Sequence, residues 1–312
     1  MAGPGAFHEP VMVGQVLAQL EPAGGGEIMD GTAGGGGHSR ALLARYPGCR
    51  VLLADRDPAA LREAARTVAG YADRISLVEG TFDEVALEAG ATGPRLAGAL
   101  LDLGVSTHQL ASDRRGFSFR PEAALDMRMA GPSGGGASAA DLLNGLPEDE
   151  LGRLFREYGE ERRWRRLARA VVLLRRDRPF RVAHHLVEAL GKAYRRPPGI
   201  KEKARVFQAV RYAVNREPEL LRAALPALLD ALLPAGVIVV IAYESLTDRI
   251  VKETFAEWSR SCVCPPRFPQ CACRGRPLGS LATRGALRAS RAEVESNPRA
   301  RSARLRSWRK AA

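Results

Sequence analysis

Three aspartates mark the first third of the chain. Asp30 closes a short apolar run at 27–30, Asp55 closes a second at 51–54, and Asp102 closes a third at 97–101. Four glycines at 34–37 follow Asp30 almost at once, and Ser39 then precedes Ala41, Leu42 and Leu43. This reads as strand, tight glycine turn and helix N-terminus. Glycines there let a ligand come close to the backbone, and the open helix N–H groups favour an anionic or polar ligand. Dinucleotide-binding turns are written G-x-G-x-x-G directly after the strand. Here Gly34 and Gly36 are followed by Ser39, and an acid comes first. An acid before such a turn suits a ligand with a cationic amine, such as the methionine part of S-adenosyl-L-methionine. A flexible glycine linker is the bland alternative, but hydrophobic runs flank the turn on both sides.

Asp55 lies roughly 20 residues past the turn, the interval of the acid that takes ribose hydroxyls in nucleotide-binding α/β sheets. It could equally cap the next helix, since Pro58 suits an early helical position. Both readings hold together if Asp57 is the cap. Phe82 follows the apolar run at 75–78, where it could stack on an adenine or pack as an ordinary core ring. His8 could serve an active site or a loop.

The elements that must position these residues alternate strand and helix patterns. Strands are expected at 27–30, 51–54, 75–78 and 97–101, with helices near 13–20, 39–46 and 58–68. That alternation predicts a parallel sheet with ligands at the carboxyl ends of its strands. After about 110 the pattern breaks. Residues 115–129 are irregular, 131–138 form a Gly/Ser stretch, and 138–196 carry helical periodicity punctuated by Pro147 and Pro179. An amphipathic helix at 204–215 and a helix at 220–233 follow. Pro234-Ala235-Gly236 then turns into the apolar run 237–241, suited to a buried central strand. A helix at 247–259 and a last strand within 298–308 complete the expectation. The chain therefore divides into an α/β domain, 1–110 plus 215–312, and an inserted, mainly helical, basic domain at 111–214.

The chain has 312 residues and a formal net charge of +12. The segment 151–216 holds 19 Lys/Arg against 6 Asp/Glu, and the tail 298–312 adds six basic residues and no acid. Two concentrated basic regions point to a polyanion, nucleic acid above all, over a merely solvated helix surface. No apolar run approaches the ~20 residues that span a bilayer, and Met-Ala-Gly-Pro-Gly lacks the features of a secretory signal. A cytoplasmic chain without a membrane partner is expected.

Cys262, Cys264, Cys271 and Cys273 form a CxC–x6–CxC cluster, with Cys49 apart. In a cytosolic chain this is not read as a disulfide framework. Structural zinc sites generally space their cysteines as CxxC, so the cluster is a candidate only and no metal is assigned from it. A Pro- and Cys-rich surface loop explains it as well.

Eight stretches in order resemble a known family: Asp30-Gly-Thr-Ala-Gly-Gly-Gly-Gly-His-Ser39, Asp55-Arg-Asp-Pro58, Asp102-Leu-Gly-Val-Ser106 with Gln109, Arg115-Gly-Phe-Ser-Phe119, Leu125-Asp-Met-Arg-Met129, Tyr158-Gly-Glu-Glu-Arg162, Phe207-Gln208-Ala209 with Asn215, and Asn297-Pro-Arg-Ala-Arg-Ser302. The chain resembles, from His8 to about Arg306, the bacterial 16S rRNA (cytosine-N4)-methyltransferases, the RsmH or MraW family. The resemblance implies a class I, Rossmann-like S-adenosylmethionine-dependent methyltransferase domain with an inserted helical domain. It implies methylation of N4 of a specific cytidine in the decoding region of 16S rRNA, on free rRNA or the small ribosomal subunit. Cofactor binding then falls on Gly36, Gly37, His38, Asp55, Phe82, Asp102 and Gln109. Asp102, or the backbone around Leu103–Gly104, is the candidate catalytic group beside the acceptor amine, while the resemblance favours Asp102 serving the cofactor alone. His38 and Gln109 come from the resemblance alone. The chain departs from the family where Ala242-Tyr243-Glu244-Ser245 replaces the usual Ser-Phe-His-Ser. A catalytically impaired RNA-binding homologue is the alternative that this departure leaves open. Carbon-5 methylation needs a cysteine nucleophile. None follows the fourth or fifth expected strand, so the acceptor is expected to be nitrogen or oxygen.

Overall fold

The computed structural model describes residues 10–91, 93–106, 109, 110, 112–265 and 272–312. His8 and Cys271 lie outside them. The chain forms two compact units, Met1–Gly104 with Pro218–Ala312, and Val105–Glu217.

The first unit is built on a seven-stranded sheet. Its strands are β1 (Glu27–Asp30), β2 (Arg50–Asp55), β3 (Ile75–Glu79), β4 (Leu96–Asp102), β5 (Leu232–Ala242), β6 (Gly279–Leu281) and β7 (Arg304–Lys310). The order is β3-β2-β1-β4-β5-β7-β6. Strands β1 to β5 pair in parallel, while β7 runs antiparallel to both β5 and β6. The order through β5 is that of the doubly wound nucleotide folds, with its switch point between β1 and β4. The sheet is thus Rossmann-like. Its central strands are apolar on both faces because helices cover both, as a parallel sheet requires. One face packs on Leu225, Leu228, Phe255 and Trp258, the other on Val16, Leu20, Leu42 and Leu61.

Helices α1 (Val13–Leu20), α2 (Gly37–Arg45), α3 (Pro58–Thr67), α4 (Phe82–Ala91), α10 (Glu217–Ala231) and α11 (Ser245–Trp258) flank the sheet. Asp57 caps α3 by accepting the Ala59 N–H at 3.0 Å. Two boundaries differ from the sequence expectation. Helix α2 begins at Gly37 rather than Ser39, because Gly36 takes the left-handed conformation (φ 77°) that starts the turn. Helix α10 ends at Ala231, and the expected turn at 234–236 lies within β5. There the register slips, from Leu96 opposite Leu232 to Gly98 opposite Val237, and Ala235 has φ 63°. The extra residues form a bulge that the hydrophobic pattern, which looked like a helix end and a turn, does not announce. Among the described residues no helix is long and apolar enough to cross a membrane.

The second unit holds α5 (Ala139–Gly145), α6 (Glu148–Glu157), α7 (Trp164–Asp177), α8 (Ala183–Tyr194) and α9 (Ile200–Asn215) around Phe155, Leu167, Phe180, Leu186 and Val210. Ser138 and Asp141 form a capping box at the start of α5. The side chain of Asn215 accepts the Met129 N–H at 2.8 Å and donates to the Met127 carbonyl at 2.7 Å, fixing the irregular 125–129 segment against α9. Glu161 is buried and accepts from the Tyr194 hydroxyl at 2.8 Å and the Arg205 guanidinium at 2.9 Å. On the solvent side α7 presents Arg165, Arg166, Arg169 and Arg176, opposite the buried Leu167, Ala168 and Val171.

Candidate active site

The carboxyl ends of β1, β2, β4 and β5 bring Asp30, the glycine turn, Asp55, Asp102 and Tyr243 together. Each acid ends its strand, yet the three are held differently. Asp30 is 1% exposed. Its Oδ2 accepts from the Ser39 hydroxyl at 2.6 Å, and its Oδ1 faces the Thr32 N–H at 3.4 Å. Burial raises its pKa, and the Ser39 hydrogen bond opposes that rise. Asp30 therefore fastens the first turn of α2 to the end of β1. It is not open to a ligand amine, as its position before the glycine turn suggested. Ser39 points inward to this acid rather than capping the helix.

The turn itself is closed by contacts that leave no room for side chains. A Cβ on Gly36 would lie 2.9 Å from Ala64 Cα, and one on Gly37 would lie 2.9 Å from the Pro10 ring. At Gly34, by contrast, a Cβ would meet only the Thr32 carbonyl at 3.8 Å, so that side of the turn is open.

Asp55 holds the second strand end to the turn. Its Oδ2 accepts the Gly34 N–H and its Oδ1 the Asp57 N–H, each at 2.9 Å. Burial pushes its pKa up to about 6, against these two donations. One N–H per oxygen leaves each oxygen further acceptor capacity. A ribose diol, with two O–H donors, matches that capacity.

Asp102 is held on three sides. Its backbone N–H donates to Thr32 Oγ1 at 2.6 Å, which ties β4 to β1. Its Oδ1 accepts from the Tyr243 hydroxyl at 2.9 Å. Burial, with the Asp102 carboxylate beside it, drives the Tyr243 phenol far above its ordinary pKa, so it stays protonated and donates. Its Oδ2 lies 3.8 Å from His38 Nδ1. His38 Nε2 is 2.9 Å from the Val11 carbonyl, which can only accept. Nε2 therefore donates to that carbonyl. At 3.8 Å the Asp102–His38 pair is beyond hydrogen-bond distance, so Asp102 Oδ2 keeps acceptor capacity, which suits a cation with several donors. An amino-acid ammonium fits. The donor chemistry of the site thus suits a nucleoside with a cationic amino-acid tail: ribose at Asp55, ammonium between Asp102 and His38.

Phe82 begins α4 and is partly buried against the core. A Cβ on Gly31 would lie 3.0 Å from Phe82 Cβ, so the ring starts beside the β1 end. Gln109 belongs to the second unit. Its Oε1 accepts the Ser106 N–H at 3.0 Å, its own N–H donates to Ser106 Oγ at 3.2 Å, and its Nε2 lies 3.3 Å from the Met129 carbonyl. That is a reciprocal capping arrangement. Cys49 is buried, and burial pushes its thiol up to about 11, far from a nucleophilic thiolate at neutral pH. The metal candidates Cys262, Cys264 and Cys273 follow α11. Sequence reasoning missed the role of Tyr243. The available signal was the parallel pairing of β4 with β5, which sets Asp102 opposite Ile241, two residues before it.

Residues 5–311 match the model of the MraW methylase family. The chain belongs to the MraW methylase family. It is 47% identical over 311 residues to a protein of Heliobacterium modesticaldum, covering 97% of this chain and 98% of the relative. A Gemmatimonas aurantiaca relative is 46% identical over 310 residues, covering 98% and 96%. A Syntrophotalea carbinolica relative is 45% identical over 308 residues, covering 97% and 98%. All three are named ribosomal RNA small subunit methyltransferase H. Membership makes this chain a methyltransferase of the Rossmann-like class with S-adenosyl-L-methionine as its cofactor. The glycine turn, Asp55 and the His38–Asp102 pair fit that cofactor.

Proposed function

We propose that this methyltransferase acts on small-subunit ribosomal RNA, at N4 of a specific cytidine in the decoding region. The observation that carries the reading is identity of 45–47% along nearly the whole chain with proteins named for small-subunit rRNA methylation. Among the described residues no cysteine ends a strand of the sheet, and Cys49 is sealed away, which supports nitrogen over carbon as acceptor.

S-adenosyl-L-methionine supplies an electrophilic methyl group on a sulfonium. The chain's residues orient and exclude. Asp55 takes the ribose hydroxyls, and Gly36 and Gly37 keep the turn tight against α3 and Pro10. Asp102, fixed by Thr32 and Tyr243, takes the ammonium with His38. This assigns Asp102 to the cofactor rather than to the acceptor amine. The amine's partner is then the backbone of Leu103 and Gly104. Gly104 has φ 139°, so a side chain there would be strained, and its Cβ would rest against the Tyr243 ring at 3.5 Å. The exocyclic amine is weakly nucleophilic because its lone pair delocalises into the ring, and accurate alignment is the main aid available. The target base must be unstacked to reach a strand-end site. The exposed arginines of α7 would contact RNA phosphates, whereas in the basic tail Arg304 and Arg306 are engaged by Asp248 and Lys310 by the Leu229 and Leu232 carbonyls.

The test is transfer of labelled methyl from the cofactor to free 16S rRNA and to assembled small subunits, followed by nuclease digestion and mass spectrometry. N4-methylcytidine is expected, with RNA binding that falls steeply as salt rises. Failure to label either substrate, or label on carbon 5, would sink the proposal.

A further inference from the structure

The chain leaves α11 at Trp258 and comes back to it where the Leu278 N–H donates to the Trp258 carbonyl at 2.8 Å. The two legs of this excursion carry the cysteines. Sγ atoms of Cys262, Cys264 and Cys273 all lie within 4.8 Å of one another. Two come from the outgoing leg and one from the return leg, so their meeting is tertiary and not a by-product of adjacency. Cys262 is exposed and the other two are partly exposed, so core packing does not account for the cluster.

We propose that Cys262, Cys264 and Cys273 are the ligands of one soft divalent cation, zinc by preference. Thiolate sulfur selects zinc over the hard cations, and this chain offers no carboxylate in the group. Tetrahedral zinc with bonds of about 2.3 Å holds its sulfurs about 3.8 Å apart. The cluster needs to contract by only about 1 Å, within the reach of χ1 rotation. The frame is already set without the ion. Arg274, next to Cys273, donates to the Glu257 carbonyl and to the Arg260 carbonyl at 3.1 Å, which binds the return leg to the end of α11. The Val263 N–H points at Cys273 Sγ at 3.4 Å, the kind of outer hydrogen bond that supports a metal thiolate.

On binding, each Sγ–H gives its proton to solvent as a Zn–S bond forms, so three protons leave and the centre carries one net negative charge. Residues 259–292 contain arginines and no acid, which offsets that charge. Cys271 is a fourth thiol in the sequence, two positions before Cys273. It lies outside the described residues, and the proposed site rests on the other three. The fourth position on the ion is left to water or another donor. The consequence is a clamp that ties the outgoing leg at 262–264 to the return leg at 273–274.

The full chain, produced in zinc-supplemented medium and purified reduced without chelator, is expected to retain one zinc per chain by elemental mass spectrometry. Cobalt(II) in its place should give the sulfur-to-metal charge-transfer band and the visible bands of a tetrahedral thiolate site. Cys262→Ser and Cys273→Ser should each weaken metal binding about 10- to 100-fold, with S-adenosylhomocysteine affinity unchanged. Because either variant could misfold, the wild-type chain supplies a second measurement. Zinc should slow modification of three or more thiols by Ellman's reagent about tenfold or more, while the buried Cys49 is slow with or without it. Thiol rates indifferent to zinc, full metal content in both variants, or a disulfide among these cysteines in reduced protein would each overturn the assignment.

Discussion

Asp55 couples cofactor binding to pH in a way that can be worked out beforehand. Its carboxyl is buried, accepts one N–H on each oxygen, and has its pKa raised from 3.8 to about 6. A ribose diol donates to the ionised form, so binding selects the carboxylate. With a pKa of about 6, ionisation falls from about 90% at pH 7 to about 10% at pH 5, and affinity should drop roughly tenfold over that span. Stability moves the other way. The folded pKa lies above the unfolded one, so the contribution of Asp55 is complete below about pH 4 and is lost as pH rises through about 6. A displacement of about two pH units amounts to roughly 3 kcal/mol. The cofactor-free protein bears that penalty at neutral pH. Asp55→Asn removes the charge but keeps a single acceptor for two N–H groups, returning about 1 kcal/mol of the gain. The variant without cofactor should melt a few degrees higher than wild type at pH 7.5. It should bind S-adenosylhomocysteine about 10- to 100-fold more weakly, with no slope between pH 5 and 7. Calorimetric titration at constant ionic strength, with melts of the free protein in parallel, reads both. A flat wild-type profile, or the same slope in Asp55→Asn, would refute the reasoning, because any other titrating group would persist in the variant.

Two further outcomes follow from the neighbouring acids. Ser39→Ala deprives the buried Asp30 of its 2.6 Å donor and should cost about 2–3 kcal/mol at neutral pH. The deficit should shrink as pH falls and Asp30 protonates, which thermal melts across pH would show. Tyr243→Phe removes the hydroxyl that fixes Asp102 and should raise the cofactor KM about 5- to 30-fold with kcat nearly kept; a lost kcat at unchanged KM would instead return Asp102 to the acceptor amine.

The first four strands were legible because they are short, mostly apolar runs that each end in an acid, Asp30, Asp55, Glu79 and Asp102, whereas the three-residue edge strand β6 carries no such pattern. Asp57 as cap of α3 could be read from Pro58. What sequence could not supply was depth. Ser39 has the right type and place for an N-cap, but the left-handed Gly36 starts the helix earlier and turns Ser39 inward. The bulge in β5 was hidden because Pro234-Ala235-Gly236 is also the signature of a turn. In the second unit the basic face of α7 was visible as composition. The tie between Glu161, Tyr194 and Arg205 was not, since it joins residues distant in sequence.

Three aspartates at three strand ends look equivalent in the sequence, and their oxygens make them different. Asp30 is sealed in the core, with its oxygens turned to the Thr32 N–H and to the Ser39 hydroxyl of α2, so a ligand has no access to it. Each oxygen of Asp55 has one backbone donor and can take one more, which suits hydroxyls. Asp102 has one oxygen satisfied by Tyr243, while the other lies 3.8 Å from His38 Nδ1, too far for a hydrogen bond. The Tyr243 hydroxyl and the bond from the Asp102 backbone N–H to Thr32 fix the carboxyl in place without using that second oxygen. Among the three acids, the one with an oxygen left without a close donor is the one suited to the ammonium end of the cofactor.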